Sequence, residues 1–271
     1  MRSFKAAQAA ALKDFLSGQL SISGAGAKKL LDQKKVFVNK QRVWIAGYRL
    51  NAGDTVEVQD SPTAARYAIA AEDSDYLIIN KPAGIIVNEH PHSLENMLRA
   101  DLKNPRLVAA HRLDKDTSGL VIFAKNYAAF TKLVEVFKNL GVEKYYRGLV
   151  QGDLSSRLAK HFTLTQNING QSAAARFTII KSNKLASYFE ANLITGRKHQ
   201  IRLQLSRAGF PLLGENTYQT GALEQAVYRQ IPRQMLHSCR LKFTNPCTGQ
   251  ILQAAARDPA DLQNALKKLG L

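Results

Sequence analysis

Cysteine, tryptophan and acidic residues are all scarce in this chain of 271 residues. The low numbers of cysteines and of acidic residues limit the kinds of protein to which the chain can belong. The two cysteines are too few for a disulfide framework and form no Cys-x-x-Cys pair, which predicts reduced thiols and a cytoplasmic location. Only 21 acidic residues oppose 38 lysines and arginines, so the formal net charge is +17. A positive field of this size attracts polyanions and indicates a nucleic acid or an anionic membrane as partner.

The chain also lacks the run of about 20 apolar residues that a membrane-spanning helix requires. Its richest apolar run begins at Tyr76 and is broken by Lys81 and Pro82. Near the start, the acidic Asp14 and nearby lysines interrupt the apolar stretch that a targeting peptide needs. The sequence therefore predicts no membrane association, and nucleic acid is the expected partner.

The order of predicted elements divides the chain into a small unit at 1–58, a linker at 59–68 and a large unit at 69–271. The small unit holds two short helices and a hairpin, with its lone Trp44 expected in the core. In the large unit, turns join strands as often as helices do, which favours an α+β fold with a mixed, mainly antiparallel sheet. Strands are predicted at 76–80, 108–113, 120–125, 145–151, 174–180 and 187–195, and helices at 127–138, 196–208 and, capped by Asp258, up to 270.

The densest polar cluster runs from His111 to Gly119, between two apolar strands. Carboxylates on a loop supported by a rigid sheet are frequent catalytic groups, so Asp114 and Asp116 are candidates for a nucleophile, a base or a metal ligand. A charged hairpin turn in which Gly119 has a positive φ explains the same residues equally well. The residues alone leave both interpretations open.

A second cluster, at 195–202, lies at the start of a predicted helix and carries Arg197, His199 and Arg202. A helix N-terminus attracts anions, and fixed positive charges add to this, so a phosphate-binding role is favoured over a solvated basic face. A metal site built from His111, His199 and His237 with Asp114 and Asp116 is disfavoured, because their spacing matches no zinc pattern and arginines lie nearby. Pattern alone assigns the pair Tyr145-Tyr146 to ordinary packing.

The string from His111 to Lys125, H-R-L-D-K-D-T-S-G-L-V-I-F-A-K, resembles the central signature of the RluA-type RNA pseudouridine synthases. Four further segments resemble that family in the expected order: Asn80-Lys-Pro-Ala-Gly84, Lys144-Tyr-Tyr-Arg-Gly-Leu-Val150, Thr195-Gly-Arg-Lys-His-Gln-Ile-Arg202 and Leu236-His-Ser-Cys-Arg-Leu-Lys-Phe-Thr-Asn-Pro246. The small unit is similar to an S4-type RNA-binding module, on Val36-Phe-Val-Asn39 and on the ending at 50–56.

The resemblance implies a pseudouridine synthase domain, preceded by an S4-like module, that converts uridine in RNA to pseudouridine. An isomerisation neither gains nor loses atoms, so no cofactor and no metal is expected. By resemblance Asp114 is the catalytic carboxylate, Arg202 its cationic partner and Tyr146 the active-site tyrosine whose ring stacks on the uracil. The residues expected to contact RNA are His111, Arg112, Arg197 and His199.

The chain departs from the family's usual residues at Gly148, Gln204, Phe210 and Glu215, and these departures are expected to leave the catalytic groups untouched. By analogy, an S4-like module beside this domain favours large-subunit ribosomal RNA over tRNA as the substrate. The alternatives are a tRNA pseudouridine synthase, a non-catalytic RNA-binding or ribosome-assembly factor, and a metal-dependent nuclease using Asp114 and Asp116. No obligatory protein partner is indicated, and the chain is expected to act as a monomer.

Overall fold

The computed structural model describes residues 2–20, 22–32, 35–58, 67–219 and 227–271. The chain forms two compact units, Met1–Ala65 and Arg66–Leu271. Most of the predicted linker at 59–68 lies outside the described residues. Within the described ranges, every helix is too short or too polar to cross a lipid bilayer.

The small unit packs two helices against short strands around one apolar core. Its elements are β1 (Arg2–Lys5), β2 (Ala10–Ala11), α1 (Leu12–Leu20), α2 (Gly24–Asp32), β3 (Val36–Val38), β4 (Gln41–Val43), β5 (Arg49–Leu50) and β6 (Thr55–Val58). The strands are ordered β1-β6-β3-β4 in one sheet, and β2 pairs with β5 in another. The prediction of Trp44 in the core is wrong, because this side chain is 54% exposed. It directly follows Val43, whose side chain faces the core, and neighbouring residues of an extended chain point to opposite sides.

The large unit is built on one ten-stranded sheet with flanking helices. Its elements are β7 (Ala68–Glu72), β8 (Tyr76–Lys81), α3 (Leu94–Asp101), β9 (Val108–Ala109), β10 (Ser118–Ala124), α4 (Tyr127–Lys138), β11 (Val142–Gln151), β12 (His161–Ile168), β13 (Gln171–Ser182), β14 (Ala186–Leu193), α5 (Gln200–Arg207), β15 (Leu236–Thr244), β16 (Ile251–Ala255) and α6 (Ala260–Leu269). The strands are ordered β12-β13-β14-β11-β15-β10-β8-β7, with β16 paired to β15 and β9 paired to β10. The β10–β15 pair is parallel and the neighbouring pairs are antiparallel. The predicted α+β class with a mixed, mainly antiparallel sheet is confirmed.

The central strands are covered on both faces, which explains their unbroken apolar sequence. In β10, Val121 and Phe123 pack into one core cluster, whereas Leu120 and Ile122 pack into another on the opposite face. Such alternation follows from the two-residue period of a strand. Helix α4 covers the second face, and α3 and α5 contribute to the first. The first face is the one beside which the polar clusters of the sequence gather.

Three predicted boundaries are wrong. Only Val108–Ala109 of the strand predicted at 108–113 pairs with β10, and the chain then leaves the sheet. The helix predicted from 196 begins at Gln200, because the side-chain oxygen of Gln200 accepts from the Arg197 backbone N–H and holds the preceding residues in a turn. Helix α6 is capped by Pro259 rather than Asp258, whose carboxylate instead accepts a bond from Tyr188.

Candidate active site

Asp114 lies on the loop between β9 and β10, at the point where the buried strand β10 begins. The Thr117 N–H donates to the Asp114 carbonyl at 3.1 Å, which closes a tight turn before the strand. Gly119 has φ +111°, and a Cβ atom there would lie 2.2 Å from the Ser238 carbonyl oxygen of β15. Only glycine fits this close approach of the parallel pair, so the predicted positive φ of Gly119 is confirmed.

Two buried basic side chains hold the carbonyl groups of this loop. Lys81 Nζ donates to the Lys115 oxygen at 3.0 Å, and Arg233 Nη1 donates to the Asp116 oxygen at 2.9 Å. Arg233 is also paired with Asp261 at the start of α6, 2.6 Å from its Nε. Burial lowers the pKa of Lys81 to about 7, and the charge of Arg233 adds to this effect. Because its backbone is fixed from within the protein, the loop presents the Asp114 side chain on a rigid base.

Arg202 of α5 joins Asp114 to a second carboxylate. Its Nη1 lies 2.9 Å from Asp114 Oδ2. Its Nε lies 2.7 Å from Glu215 Oε2, and its Nη2 lies 2.7 Å from Glu215 Oε1. Glu215 is fully buried and Arg202 is 8% exposed, whereas Asp114 is 24% exposed. Burial alone would raise the pKa of Glu215, yet the bonds from Arg202 and the Thr217 N–H hold it below its usual value. The bidentate pair therefore fixes the guanidinium in one orientation, with one nitrogen left for Asp114.

His199 approaches the other oxygen of the same carboxylate. Its Nε2 lies 3.4 Å from Asp114 Oδ1, and its Nδ1 lies 2.6 Å from the Tyr218 hydroxyl. Burial lowers the pKa of His199, and Arg202 and Lys198 add to this against the opposing effect of Asp114. The imidazole is therefore neutral at pH 7, and it offers Asp114 at most one uncharged donor.

Asp114 lies in the wall of a cavity of about 250 Å³ whose other walls are partly apolar. Tyr146, Leu193 and Leu236 supply an aromatic ring and two aliphatic side chains. Tyr146 is buried, and burial raises the pKa of its phenol, which is therefore protonated at neutral pH. A planar, uncharged ring would be held between such walls with its edge near an activated carboxylate.

The residues predicted to contact RNA separate into two groups. Arg112, Arg197 and His199 line the same cavity, and Arg112 also lines an adjoining one of about 360 Å³ that contains Asp114. His111 lines neither cavity. Its Nε2 accepts from the Ile122 N–H of β10 at 3.1 Å, and its ring lies 5.6 Å from that of Phe137. The structure thus places the half-buried ring of His111 behind the loop, away from both cavities.

The sequence patterns did not identify the residues outside 111–119 and 195–202 that support the Asp114–Arg202 pair. Gln234 Nε2 lies 3.4 Å from Asp114 Oδ2 and donates to Thr117 Oγ1 at 2.7 Å. The expectation that the departures from the family pattern avoid the catalytic groups is wrong for Glu215, which binds Arg202 directly. The sequence did contain an indication of this role, because Glu215 is a single acidic residue that directly follows the uncharged segment 208–214.

Comparison with known proteins shows that the sequence of this chain matches two described families. Residues 75–207 match the family described as RNA pseudouridylate synthase, and residues 17–56 match the S4 domain. The chain is 30% identical, over 89% of its length and 88% of the relative's, to ribosomal large subunit pseudouridine synthase D of Buchnera aphidicola subsp. Acyrthosiphon pisum. It is 31% identical, over 95% of its length and 92% of the relative's, to ribosomal large subunit pseudouridine synthase C of Vibrio cholerae.

Solved structures share the fold of the large unit. Human RNA pseudouridylate synthase domain containing 4 superposes with a TM-score of 0.63 at 22% identity, covering 75% of this chain and 93% of that one. Human RNA pseudouridylate synthase domain containing 1 gives 0.62 at 21% identity, covering 76% and 90%. Fold and matched segments together define an RNA-modifying isomerase with an S4 module at its N-terminus. The chain belongs to the RluA-type family of RNA pseudouridine synthases.

Proposed function

We propose that this enzyme isomerises one or a few uridines of large-subunit ribosomal RNA, with Asp114 as the catalytic carboxylate. The relatives named above act, by their names, on the ribosomal large subunit. The observation that carries the catalytic assignment is the position of Asp114, in the cavity wall with Tyr146 and 2.9 Å from the buried Arg202. Carboxylates held in this way by a fixed cation are suited to react in a site partly closed to water.

The target uridine enters this cavity by leaving its helix. A stacked base is out of reach of a carboxylate set in a cavity wall, so the nucleotide rotates outward at a cost of a few kcal/mol. The ring of Tyr146 then stacks on the uracil, and Leu193 and Leu236 exclude water around it. Binding of the flipped base offsets the loss of stacking in the RNA.

The reaction breaks the bond from C1′ to N1 and forms the bond from C1′ to C5, while one proton leaves C5 and one is added at N1. Asp114 attacks the base, attacks C1′ of the sugar, or stabilises the positive charge that develops at C1′ as the glycosidic bond breaks. Arg202 holds this carboxylate in one orientation through a charged hydrogen bond, because Glu215 fixes the guanidinium from the far side. The protonated phenol of Tyr146 is a donor beside the base, and atoms balance without a redox partner or a nucleotide.

Positive side chains at the mouth of the cavity hold the RNA backbone around the flipped nucleotide. Arg112 is 59% exposed and its nearest acidic group, Glu89, lies 3.4 Å away at the surface. Arg197 and Lys198 line the same cavity. Phosphate contacts of this kind position the strand without reading its sequence, so selection of the uridine falls to RNA shape and to the S4 module.

The experiment is carbodiimide-based mapping of pseudouridine in total RNA from a strain lacking the gene, incubated with wild type or with Asp114→Ala. We expect a new reverse-transcription stop at one or a few uridines of large-subunit rRNA with wild type alone. A new stop confined to tRNA would replace the substrate but keep the activity. Absence of any new stop, with RNA still bound, would support a non-catalytic RNA-binding factor instead.

A further inference from the structure

Tyr218 contacts both side chains of α5 that reach Asp114. Its hydroxyl lies 2.6 Å from His199 Nδ1, and the Cζ atom of Arg202 lies 5.1 Å from the centre of its ring. Its backbone carbonyl accepts a hydrogen bond from Ser206, one turn further along the helix. Tyr218 is therefore anchored to α5 at both its backbone and its side chain, without touching the cavity itself.

The partners of His199 decide which ring nitrogen carries the proton. A neutral imidazole has one N–H and one bare nitrogen. Nε2 lies 3.4 Å from Asp114 Oδ1, and a bare nitrogen facing a carboxylate would be repelled by it. Nδ1 faces a phenol, which can donate its proton as well as accept one. The only assignment in which both contacts are attractive has Tyr218 donating to Nδ1 and Nε2–H donating to Asp114.

The backbone of His199 also needs this support. It has φ +55°, in the left-handed region that residues other than glycine rarely adopt. Such a conformation persists when surrounding contacts impose it. The contacts of the ring are the Tyr218 hydroxyl, the edge of the Tyr218 ring at 5.6 Å, and Asp114.

We propose that Tyr218 is a positioning residue that fixes His199 as the Nε2–H tautomer, so that an N–H rather than a bare nitrogen faces Asp114 Oδ1. This inference rests on the proposed catalytic role of Asp114. The two carboxylate oxygens then differ, since Oδ2 is bound by the charged Arg202 at 2.9 Å, whereas Oδ1 faces only the uncharged Nε2–H at 3.4 Å. The less tightly held Oδ1 is the oxygen that remains available to react.

Nitrogen-15 NMR of histidine-labelled protein tests the tautomer directly. The chain has six histidines, and the signals of His199 are identified by their loss in His199→Gln. At pH 8 we expect a protonated Nε2 and a bare Nδ1 in the wild type. In Tyr218→Phe, which keeps the ring over Arg202, the Nδ1 signal should move toward that of an unbonded nitrogen. A protonated Nδ1 in the wild type, or an unchanged Nδ1 signal in Tyr218→Phe, would overturn the proposal.

Kinetic measurements distinguish a positioning role of Tyr218 from a role in stabilising the fold alone. Tyr218→Phe should lower kcat about three- to tenfold, the usual worth of one hydrogen bond, and leave KM for the RNA nearly unchanged. Tyr67→Phe is the matched control, because it removes a phenol bonded at 2.7 Å to the surface carboxylate of Asp101 and should change neither kcat nor the His199 signals. A normal kcat in Tyr218→Phe would refute the positioning role.

The same samples distinguish failure of this inference from failure of the proposed function. If Asp114→Asn keeps its turnover, the catalytic assignment falls, and the wild-type tautomer is still read from the NMR spectrum. If Asp114→Asn is inactive but the wild-type Nδ1 carries the proton, the catalytic assignment stands and the role of Tyr218 falls.

Discussion

The segments 111–119 and 195–202 each contain one histidine, one lysine and at least one arginine, but the structure uses the histidine and arginine in opposite ways. In the first segment the histidine is turned inward to the backbone of β10 and the arginine is exposed at the cavity mouth. In the second, the histidine reaches the carboxylate and Arg202 is buried against it. Position relative to Asp114, rather than residue type, separates the two roles.

Burial and a second acidic partner determine the role of each of these two arginines. Arg112 is 59% exposed and meets Glu89 at 3.4 Å, a surface contact that contributes little. Arg202 is 8% exposed and is bound bidentately by a fully buried carboxylate. Removing one member of a buried pair leaves an uncompensated charge, so the two arginines should respond very differently to the same substitution.

Replacement of Arg202 by methionine should have the largest effect. The change removes the donor to Asp114 Oδ2 and leaves Glu215 without its cation. Turnover of the RNA substrate should fall about 10²–10³-fold, as when a preorganised electrostatic contact is lost at other enzyme sites. Pseudouridine formation under single-turnover conditions measures it.

The control for Arg202→Met is a second substitution, at Glu215, the buried partner of Arg202. Arg202→Met should also lower the free energy of unfolding by about 3–5 kcal/mol, because a buried carboxylate loses its partner. Adding Glu215→Gln removes the buried charge but keeps an acceptor for the Thr217 N–H, so stability should recover while activity stays lost. Recovery of both would show that Arg202 acts only through the fold.

His111→Ala should affect stability rather than chemistry. Its Nε2 accepts the Ile122 N–H, and leaving that buried donor without a partner costs about 1–3 kcal/mol. Thermal or urea unfolding measures this loss, and kcat of the folded variant should match that of the wild type. A selective fall in kcat with unchanged stability would contradict the assignment of His111 to the interior.

The pH dependence of the free energy of unfolding is a second measurement that compares the wild type with His111→Ala. Burial lowers the pKa of His111 to about 3, and Lys144 adds to this, whereas the unfolded chain has the ordinary value near 6.5. Between these values the unfolded state binds more protons, so His111 makes stability fall as the pH drops below about 6.5. The His111→Ala variant should show a shallower loss over this range.

Arg112→Met, the same substitution as at Arg202, should have the smallest effect. One phosphate contact is lost at an exposed position, so KM should rise a few-fold with kcat nearly unchanged. The slope of log affinity against log salt should decrease by about one. A drop in kcat comparable to that of Arg202→Met would remove the distinction between the two segments.

Sequence patterns predicted the elements that are apolar or strongly periodic. The helix predicted at 127–138 has those bounds in the structure, and the strand at 120–125 is shifted only slightly from β10. The edge strand β12 was missed because its residues alternate between exposed and half-buried positions and it carries few apolar side chains. Helix α3 was missed because only Leu94 and Leu98 of its eight residues are buried.

The site itself was predictable only in part. Matching segments named Asp114, Tyr146 and Arg202, and the structure brings these three residues to one cavity across 88 positions of sequence between Asp114 and Arg202. Glu215 and Tyr218 lie on a stretch without regular structure, where no period marks which side chain points inward. Likewise, nothing in the sequence distinguishes the interior His111 from His199, since the difference is made by long-range packing.

The central claim is that Asp114 performs the chemistry and is dispensable for binding. The most direct test is Asp114→Asn, measured for single-turnover pseudouridine formation and for affinity toward the RNA identified by mapping. We expect no detectable product, with the dissociation constant within about threefold of the wild type, because the substitution keeps the shape of the side chain and removes only its charge. Product formed at a rate near that of the wild type, or a large loss of RNA affinity, would contradict the account.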